Sequence, residues 1–401
     1  MPPRILFLTH RLPYAPNRGD RLRAYHMLHA MVPHARVDLV SLVHDDEEAA
    51  HAADLRDLVE SVEVAPVPRL RNLMRGAWLW PTRRPLTHIL LDSPTIRPTL
   101  DRIARERTPD VVFAFCSGMM RFAMMPPLAS RPCVLDMVDA DSAKWRSLGQ
   151  TTGGPKGLVF RREGRCLARF EIDAMRHARS TLVVNARERD LLLELSPNAA
   201  VRIMENGVDL DRFTPDANAP PAAQPIVVFC GVMNYAPNEE GARWMARDVW
   251  PIVHAARPDA TLMIVGASPT PAVQALASDD ARITVTGAVP DVRQYLWDAA
   301  VAVAPLWIAR GVQNKVLEAV AAGLPCVVTP PVAEGLPDVL RSACPVAADA
   351  AEFARVIVDL LALTPDARRH RARSADLRCL TWQERLRDLV PLLIDAAAAR
   401  R

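Results

Sequence analysis

Seven cysteines (116, 133, 166, 230, 326, 344 and 379) form no C-x-x-C pair and no zinc-ligand spacing. Most sit in apolar stretches such as "VVFAFC" and "IVVFCG", which reads as buried, reduced thiols in a cytoplasmic protein. No apolar run reaches the ~18 residues that a membrane span needs. The apolar core of "MPPRILFLTH" is only Ile5 to Leu8, too short for a secretory signal. Blocks of lysine and arginine interleaved with stacking aromatics are missing, which argues against nucleic acid. No G-x-G-x-x-G follows an expected strand, which argues against a dinucleotide oxidoreductase. Lysine itself is scarce: of 49 basic residues, only Lys144, Lys156 and Lys315 are lysine.

What is present is an ordinary globular composition, half hydrophobic and about a quarter charged, over 401 residues. That length suits two domains. The net charge of +3 divides unevenly: residues 1–205 carry 30 basic against 24 acidic residues, and residues 206–401 carry 19 against 22. The first half is therefore the better suited to anionic partners.

Short apolar runs alternate with longer amphipathic segments. Residues 4–10, 37–43, 61–67, 110–116, 132–138 and 180–185 read as strands, with helices between them such as 21–32. The pattern restarts at "IVVFCGVMNYAPN" (226–238) and continues through strands at 260–265, 283–290, 301–307 and 325–330. Two βα series predict an α/β protein with two Rossmann-like, doubly wound domains facing a cleft. "ENGVDLDRFTPDANAPPAAQP" (205–225) lacks an apolar period and reads as the linker. The boundaries are 1–205 for the first domain and 206–381 for the second, followed by a single amphipathic C-terminal helix over 382–401.

Ligands of doubly wound sheets bind beyond the carboxyl ends of the strands. Polar residues and glycines collect there: "THRLPYAPNRGD" after the first strand, "DADSAKW" after 132–138, "GVMNYAPNEEG" after 226–230, "GASP" after 260–265. The most charged of these edges is "ARGVQNKVLEAVAAG" (309–323), where a turn enters a helix. A helix start offers free N–H groups and the positive dipole end, which suit phosphate. Lys315 adds a point charge and Arg310 a flat, multidentate donor. Glu318, one turn on, suits a vicinal diol. The plainer alternative is a solvated helix start. Asp139 is open to two readings, a functional group at this sheet edge or part of an N-cap before a helix. His10 is either a cleft residue or an ordinary loop histidine.

The motifs "ENGVD", "VVFCGVMNYAPNEEGARWM", "LMIVGASP", "VTGAVPDVRQYL", "ARGVQNKVLEAVAAGLPCVVTP" and "EGL" resemble those of the family-four retaining glycosyltransferases of GT-B fold. "THRLPYAPNRGDRLRAYHML" and "LDMVDADSAKW" are similar to the sugar transferases that accompany exopolysaccharide loci of the PEP-CTERM type. The resemblance implies a nucleotide-diphosphate sugar donor and a glycan or lipid-linked acceptor. It also implies retention of configuration, no metal or other cofactor, and a C-terminal helix crossing back to the first domain. It places Glu318 on the ribose hydroxyls, the loop from Arg310 to Lys315 around the diphosphate and donor sugar, and Gly231 and Gly19 where backbone must approach phosphate. The full assignment is Asp139, Arg310 and Lys315 as catalytic residues. Gly19, Gly231, Asn234, Asn238, Gly266, Gly311, Val312, Lys315 and Glu318 are assigned to the donor. His10, Asp20, Asp141 and Lys144 are assigned to the acceptor side.

Two departures stand out. Many relatives have a glutamate eight residues before the ribose-binding one; here that position is Arg310. Many also carry Arg and Lys after the glycine equivalent to Gly231, whereas this chain reads "GVMNYAPN". Arg310 is the expected substitute for that missing charge. Two other readings stay open, a nucleotide-sugar 2-epimerase of the same fold and a catalytically silent sugar-nucleotide-binding subunit. Finally, "RLRNLMRGAWLWPTRRPL" (69–86) mixes five arginines with Trp78 and Trp80, and 156–170 adds Lys156 and further arginines. Such segments either lie on an anionic membrane surface, here the cytoplasmic face of an inner membrane, or form a solvated basic face.

Overall fold

The computed structural model describes residues 2–15, 19–216, 222–309 and 312–399, with the side chains of 19 and 20 outside the description. The chain divides into two compact units, residues 1–205 with 386–401, and residues 206–385.

The first unit is built on seven parallel strands: β1 (Arg4–Thr9), β2 (Arg36–Val43), β3 (Ser61–Pro66), β4 (Val111–Phe115), β5 (Cys133–Val138), β6 (Ser180–Val183) and β7 (Val201–Ile203). Their order is β3-β2-β1-β4-β5-β6-β7. The chain reverses its direction of travel between β1 and β4, so the switch point lies where His10 and Cys116 leave the sheet. β4 is buried along its whole length, and β1 and β2 are buried apart from their first residues, as expected of a parallel sheet covered on both faces. Phe7 pairs in register with Phe113 and stacks on it at 5.0 Å.

One ion pair is sunk into this core. Asp136 of β5 is fully buried, and Arg23, from the helix Gly19–Met31, donates its Nε to Asp136 Oδ2 at 2.7 Å. Asp136 Oδ1 accepts the Val138 amide at 2.9 Å. Burial pushes the Asp136 carboxyl upward, and Arg23 works against that push. The pair holds the end of β5, where the ladder to β6 is irregular between Asp136 and Val138.

The second unit has five parallel strands: β8 (Ile226–Cys230), β9 (Thr261–Val265), β10 (Ile283–Val285), β11 (Val301–Ala304) and β12 (Cys326–Val328). Their order is β10-β9-β8-β11-β12, with the switch point between β8 and β11. The loops after those two strands therefore begin at Gly231 and at Pro305. The core is continuous from Phe229 and Val303 out to Trp250 and Phe353.

Four expectations are corrected. The segment from 205 is not a plain linker: Val208 and Phe213 are buried in the second core, and Leu210–Phe213 is a short helix. Gly207 lies so close to residue 382 that a Cβ there would meet the Trp382 nitrogen at 2.5 Å. The last segment is not one helix but two, Trp382–Arg385 and Leu389–Ala398. Pro391 lacks an amide hydrogen, and in a continuous helix its ring would strike the carbonyl of residue 387. The helix expected over 241–258 begins earlier and contains a π-helical turn, Met245–Val249, immediately before Pro251. Its cause is the same missing donor. Cys379 is exposed, whereas Cys133, Cys166, Cys326 and Cys344 are buried.

Removing one partner of the buried pair leaves the other charge unpaired. Arg23→Leu is expected to lower stability by about 3–5 kcal/mol. Adding Asp136→Asn should recover part of the loss, since the amide oxygen still accepts from Val138. Urea unfolding of the three proteins checks this.

Candidate active site

In the second unit the site begins with two loops that approach too closely for side chains. The Gly231 amide donates to the carbonyl of Val265 at 2.9 Å, and the Met233 amide to that of Ala267 at 2.8 Å. Gly266 has φ +146°, and a Cβ on it would lie 1.7 Å from the Gly231 oxygen. Only glycine fits.

The same economy of space at Gly231 admits two side chains. A Cβ there would meet Asn238 Nδ2 at 2.8 Å and Lys315 Nζ at 3.1 Å. Asn238 stands in the helix Ala236–Trp244 and is buried. Its Nδ2 donates to the Val232 carbonyl at 2.9 Å, and its Oδ1 accepts from Lys315 Nζ at 2.6 Å. The ammonium also lies 4.9 Å from the centre of the Phe229 ring. Lys315 is thus fixed over Gly231 from the opposite side of the switch point, in the first turn of the helix Asn314–Ala321.

That helix starts without a side-chain cap: Gln313 holds the N-cap position, and its side chain makes no capping bond. Asn206, from "ENGVD", donates to Asn314 Oδ1 at 3.2 Å and ties the chain entering the unit to the helix start. Glu318 sits one turn beyond Lys315. Burial pulls the Glu318 carboxyl up to about 7, against Arg212 first and Lys315 second. Burial pulls Lys315 down to about 8, against Cys230, Glu318 and Cys326. Both groups change charge near neutrality, as expected of polar groups held in a poorly solvated site. Arg212 lies in the segment that reads as the linker from sequence. Its one sequence signal is Asp209, whose side chain caps the Arg212 amide and starts the short helix that carries it.

Of the other donor-side assignments, Val312 is buried, and Asn234 is exposed on the turn after Gly231. Arg310 and Gly311 lie outside the described residues. The segment leading to them is held at its start: Thr329 Oγ1 donates to the Leu306 carbonyl, and Trp307 meets Trp244 edge to face at 5.2 Å. A cavity of about 50 Å³ beside Trp297, Gly323 and Arg368 lies at the other edge of this sheet and is too small for a nucleotide.

The first unit places His10 at its switch point, and Asp139, Asp141 and Lys144 after the neighbouring strand β5. His10 stacks on Phe115 at 5.7 Å, and its carbonyl is bonded by the His44 ring at 3.0 Å. Cys116 and Val138, at the tips of the adjacent strands β4 and β5, have φ +73° and +65°. A positive φ at a β-branched valine is strained, and nothing in the sequence signals it. The turn is held by the Cys116 amide on the Asp136 carbonyl at 2.8 Å and the Ala140 amide on Glu188 at 2.9 Å. Asp139 follows directly. The N-cap of the next helix, Asp141–Thr151, is Ala140, so Asp139 is not its cap. Asp141 accepts from Ser117 Oγ at 2.7 Å. Lys144 is exposed on that helix. Gly19 and Asp20 open the helix Gly19–Met31, and the Asp20 side chain lies outside the described residues.

Two parallel sheets, each with its polar loops at a switch point, define a chain of GT-B glycosyltransferase fold. Residues 224–363 match the family described as Glycosyl transferases group 1. Solved structures agree over nearly the whole chain. Sucrose-phosphate synthase from Thermosynechococcus elongatus is 15% identical, with a TM-score of 0.70, covering 99% of this chain and 100% of that one. HepE of Anabaena, in complex with UDP and glucose, is 13% identical, with a TM-score of 0.67 and coverage of 98% and 100%. The α,α-trehalose-phosphate synthase (UDP-forming) of Burkholderia xenovorans is 13% identical, with a TM-score of 0.66 and the same coverage. No curated protein matches the chain.

The raised Glu318 group has a pH signature. Between about pH 4.5 and 7 the folded chain binds a proton there that the unfolded chain has released, so this group's contribution to stability falls as pH rises. Glu318→Gln removes the contribution. The variant is expected to gain on the parent as pH rises through that window, by up to about 3 kcal/mol above pH 7. Glu171, also raised to about 7, is common to both proteins and cancels. Denaturant unfolding at several pH values measures the difference.

Proposed function

We propose that this chain transfers a hexose-type sugar from a nucleotide-diphosphate donor to a glycan or lipid-linked acceptor, in the assembly of a cell-surface polysaccharide. The observation that carries the reading is the fixed Lys315 ammonium, 2.6 Å from Asn238 Oδ1 and directly over side-chain-free Gly231, with Glu318 one turn along the same helix. A diphosphate laid on Gly231 meets a cation and the start of the helix Asn314–Ala321. The diol of its ribose meets the Glu318 carboxylate. Lys315 thereby answers the missing Arg and Lys after Gly231. UDP is the nucleotide to test first, because HepE was solved with it.

In the reaction the bond from the anomeric carbon to the phosphate oxygen breaks, and a bond to the acceptor hydroxyl oxygen forms. The acceptor proton passes to the leaving diphosphate, and the nucleoside diphosphate departs. Attack from the face the diphosphate leaves retains configuration. Lys315, Arg310 and the helix start stabilise the charge that grows on the leaving group, with no metal required of them. On the first unit, Asp139 is the proposed catalytic group beside the reacting sugar, and His10 belongs to the acceptor side. The reaction is placed in the cytoplasm.

With a UDP-hexose and a lipid-linked oligosaccharide fraction, release of UDP should depend on the acceptor. Lys315→Met should lower kcat/KM by about 10²-fold or more. Rapid isomerisation of the sugar nucleotide without acceptor would instead favour the epimerase. Tight binding with no turnover on any acceptor fraction would favour the silent subunit.

A further inference from the structure

The helix Arg69–Trp78 turns its apolar side outward. Leu70 is 73% exposed, Leu73 63%, Met74 62% and Trp78 81%. At 3.6 residues per turn these four and Ala77 form one arc of about 140°, with Arg69 and Arg71 at its two edges. The inward side is polar. Asn72 is buried and donates to the carbonyls of Leu90 at 3.1 Å and Asp92 at 2.7 Å. Arg75 pairs with Asp92 at 2.9 Å, and Gly76 is buried beside Leu86 and Leu90. These bonds fix the helix in an orientation opposite to that of an ordinary amphipathic surface helix.

The following loop is fixed as well. Arg162, from the helix Gly154–His177, donates to the carbonyls of Trp80 at 3.0 Å, Arg84 at 3.1 Å, and Thr82. Its guanidinium lies 5.0 Å from the Trp80 ring. One turn back from Arg162 on that helix, Leu158 is 59% exposed. Residues 69–84 contain five arginines and no acidic residue, and Arg69, Arg71, Arg83 and Arg84 are exposed.

We infer that this face is a membrane-docking surface that lies on an anionic phospholipid bilayer, with Leu70, Leu73, Met74 and Trp78 in the headgroup boundary and the arginines on lipid phosphate. Charge selects the occupant. A second copy placed on the same patch by a two-fold axis would set arginine against arginine. A bilayer rich in phosphatidylglycerol supplies both apolar depth and negative charge. No helix among the described residues is long and apolar enough to cross a membrane, so contact through this face would be interfacial. The inference stands apart from the proposed reaction and is tested without substrate.

The full chain is floated with vesicles of phosphatidylcholine, alone or with roughly one third phosphatidylglycerol, in low and high salt. It should float with the anionic vesicles, less so in high salt, and little with the neutral ones. The double variant Leu73→Ser, Trp78→Ser should lose about tenfold or more in partitioning. Its melting temperature should not change, since neither side chain is in a core. Arg69→Gln with Arg71→Gln should weaken the preference for anionic lipid. Absence of flotation overturns the inference. So does equal flotation of the serine variant, or a dimer that this variant disperses in a chain that does not bind lipid.

Discussion

The second unit depends on the approach of Gly231 to Gly266. An oxygen that would lie 1.7 Å from any Cβ on residue 266 leaves no room for a side chain, and the backbone pays for this closeness with a φ of +146°. What the approach achieves is a bare strip of backbone at the switch point of the sheet. Lys315 and Asn238 close over it from two different helices and bond to each other across it. Deeper burial would strip the ammonium of solvent without compensation, and greater exposure would leave it mobile. Burial lowers Lys315 to about 8 against Cys230, Glu318 and Cys326, and the bond to the Asn238 oxygen beside the Phe229 ring fixes the ammonium in place.

The first unit solves a related problem by other means. Its switch-point loops are not glycine-rich. Instead, Cys116 and Val138 take left-handed backbone, and the turn is held by buried carboxylates, Asp136 on the Val138 amide and Glu188 on the Ala140 amide. Strain of this kind persists only where neighbouring bonds over-determine it. Arg23 beneath Asp136 supplies the charge that makes such a buried acid tolerable. Each sheet thus presents a rigid, polar edge, one shaped by the absence of side chains and one by strained residues tied from below.

Much of this was legible in the residues. Strands buried on both faces read as unbroken apolar runs, so the sheets and their parallel character followed from β1, β4, β8 and β11. Lys315 was conspicuous because lysine is otherwise nearly absent. The failures have physical reasons. β7 is three residues of a mostly exposed edge, too short for a pattern. The C-terminal helix divides because of Pro391, which marks a break that amphipathic periodicity alone does not show. Arg212 was invisible as a site residue, since its segment resembles a linker until Val208 and Phe213 are seen in the core. The orientation of Arg69–Trp78 could not be read either. Periodicity identifies an apolar arc but does not say that Asn72 and Arg75 find partners beneath the helix and turn that arc to solvent.

The account stands or falls on where a nucleotide lies. The most direct measurement is a crystal structure of the chain with a nucleoside diphosphate. The account predicts diphosphate oxygens within hydrogen-bonding distance of Lys315 Nζ, against the backbone at Gly231, and ribose hydroxyls on the Glu318 carboxylate. A nucleotide bound away from the ends of β8 and β11, or with its phosphates out of reach of Lys315 Nζ, would contradict it.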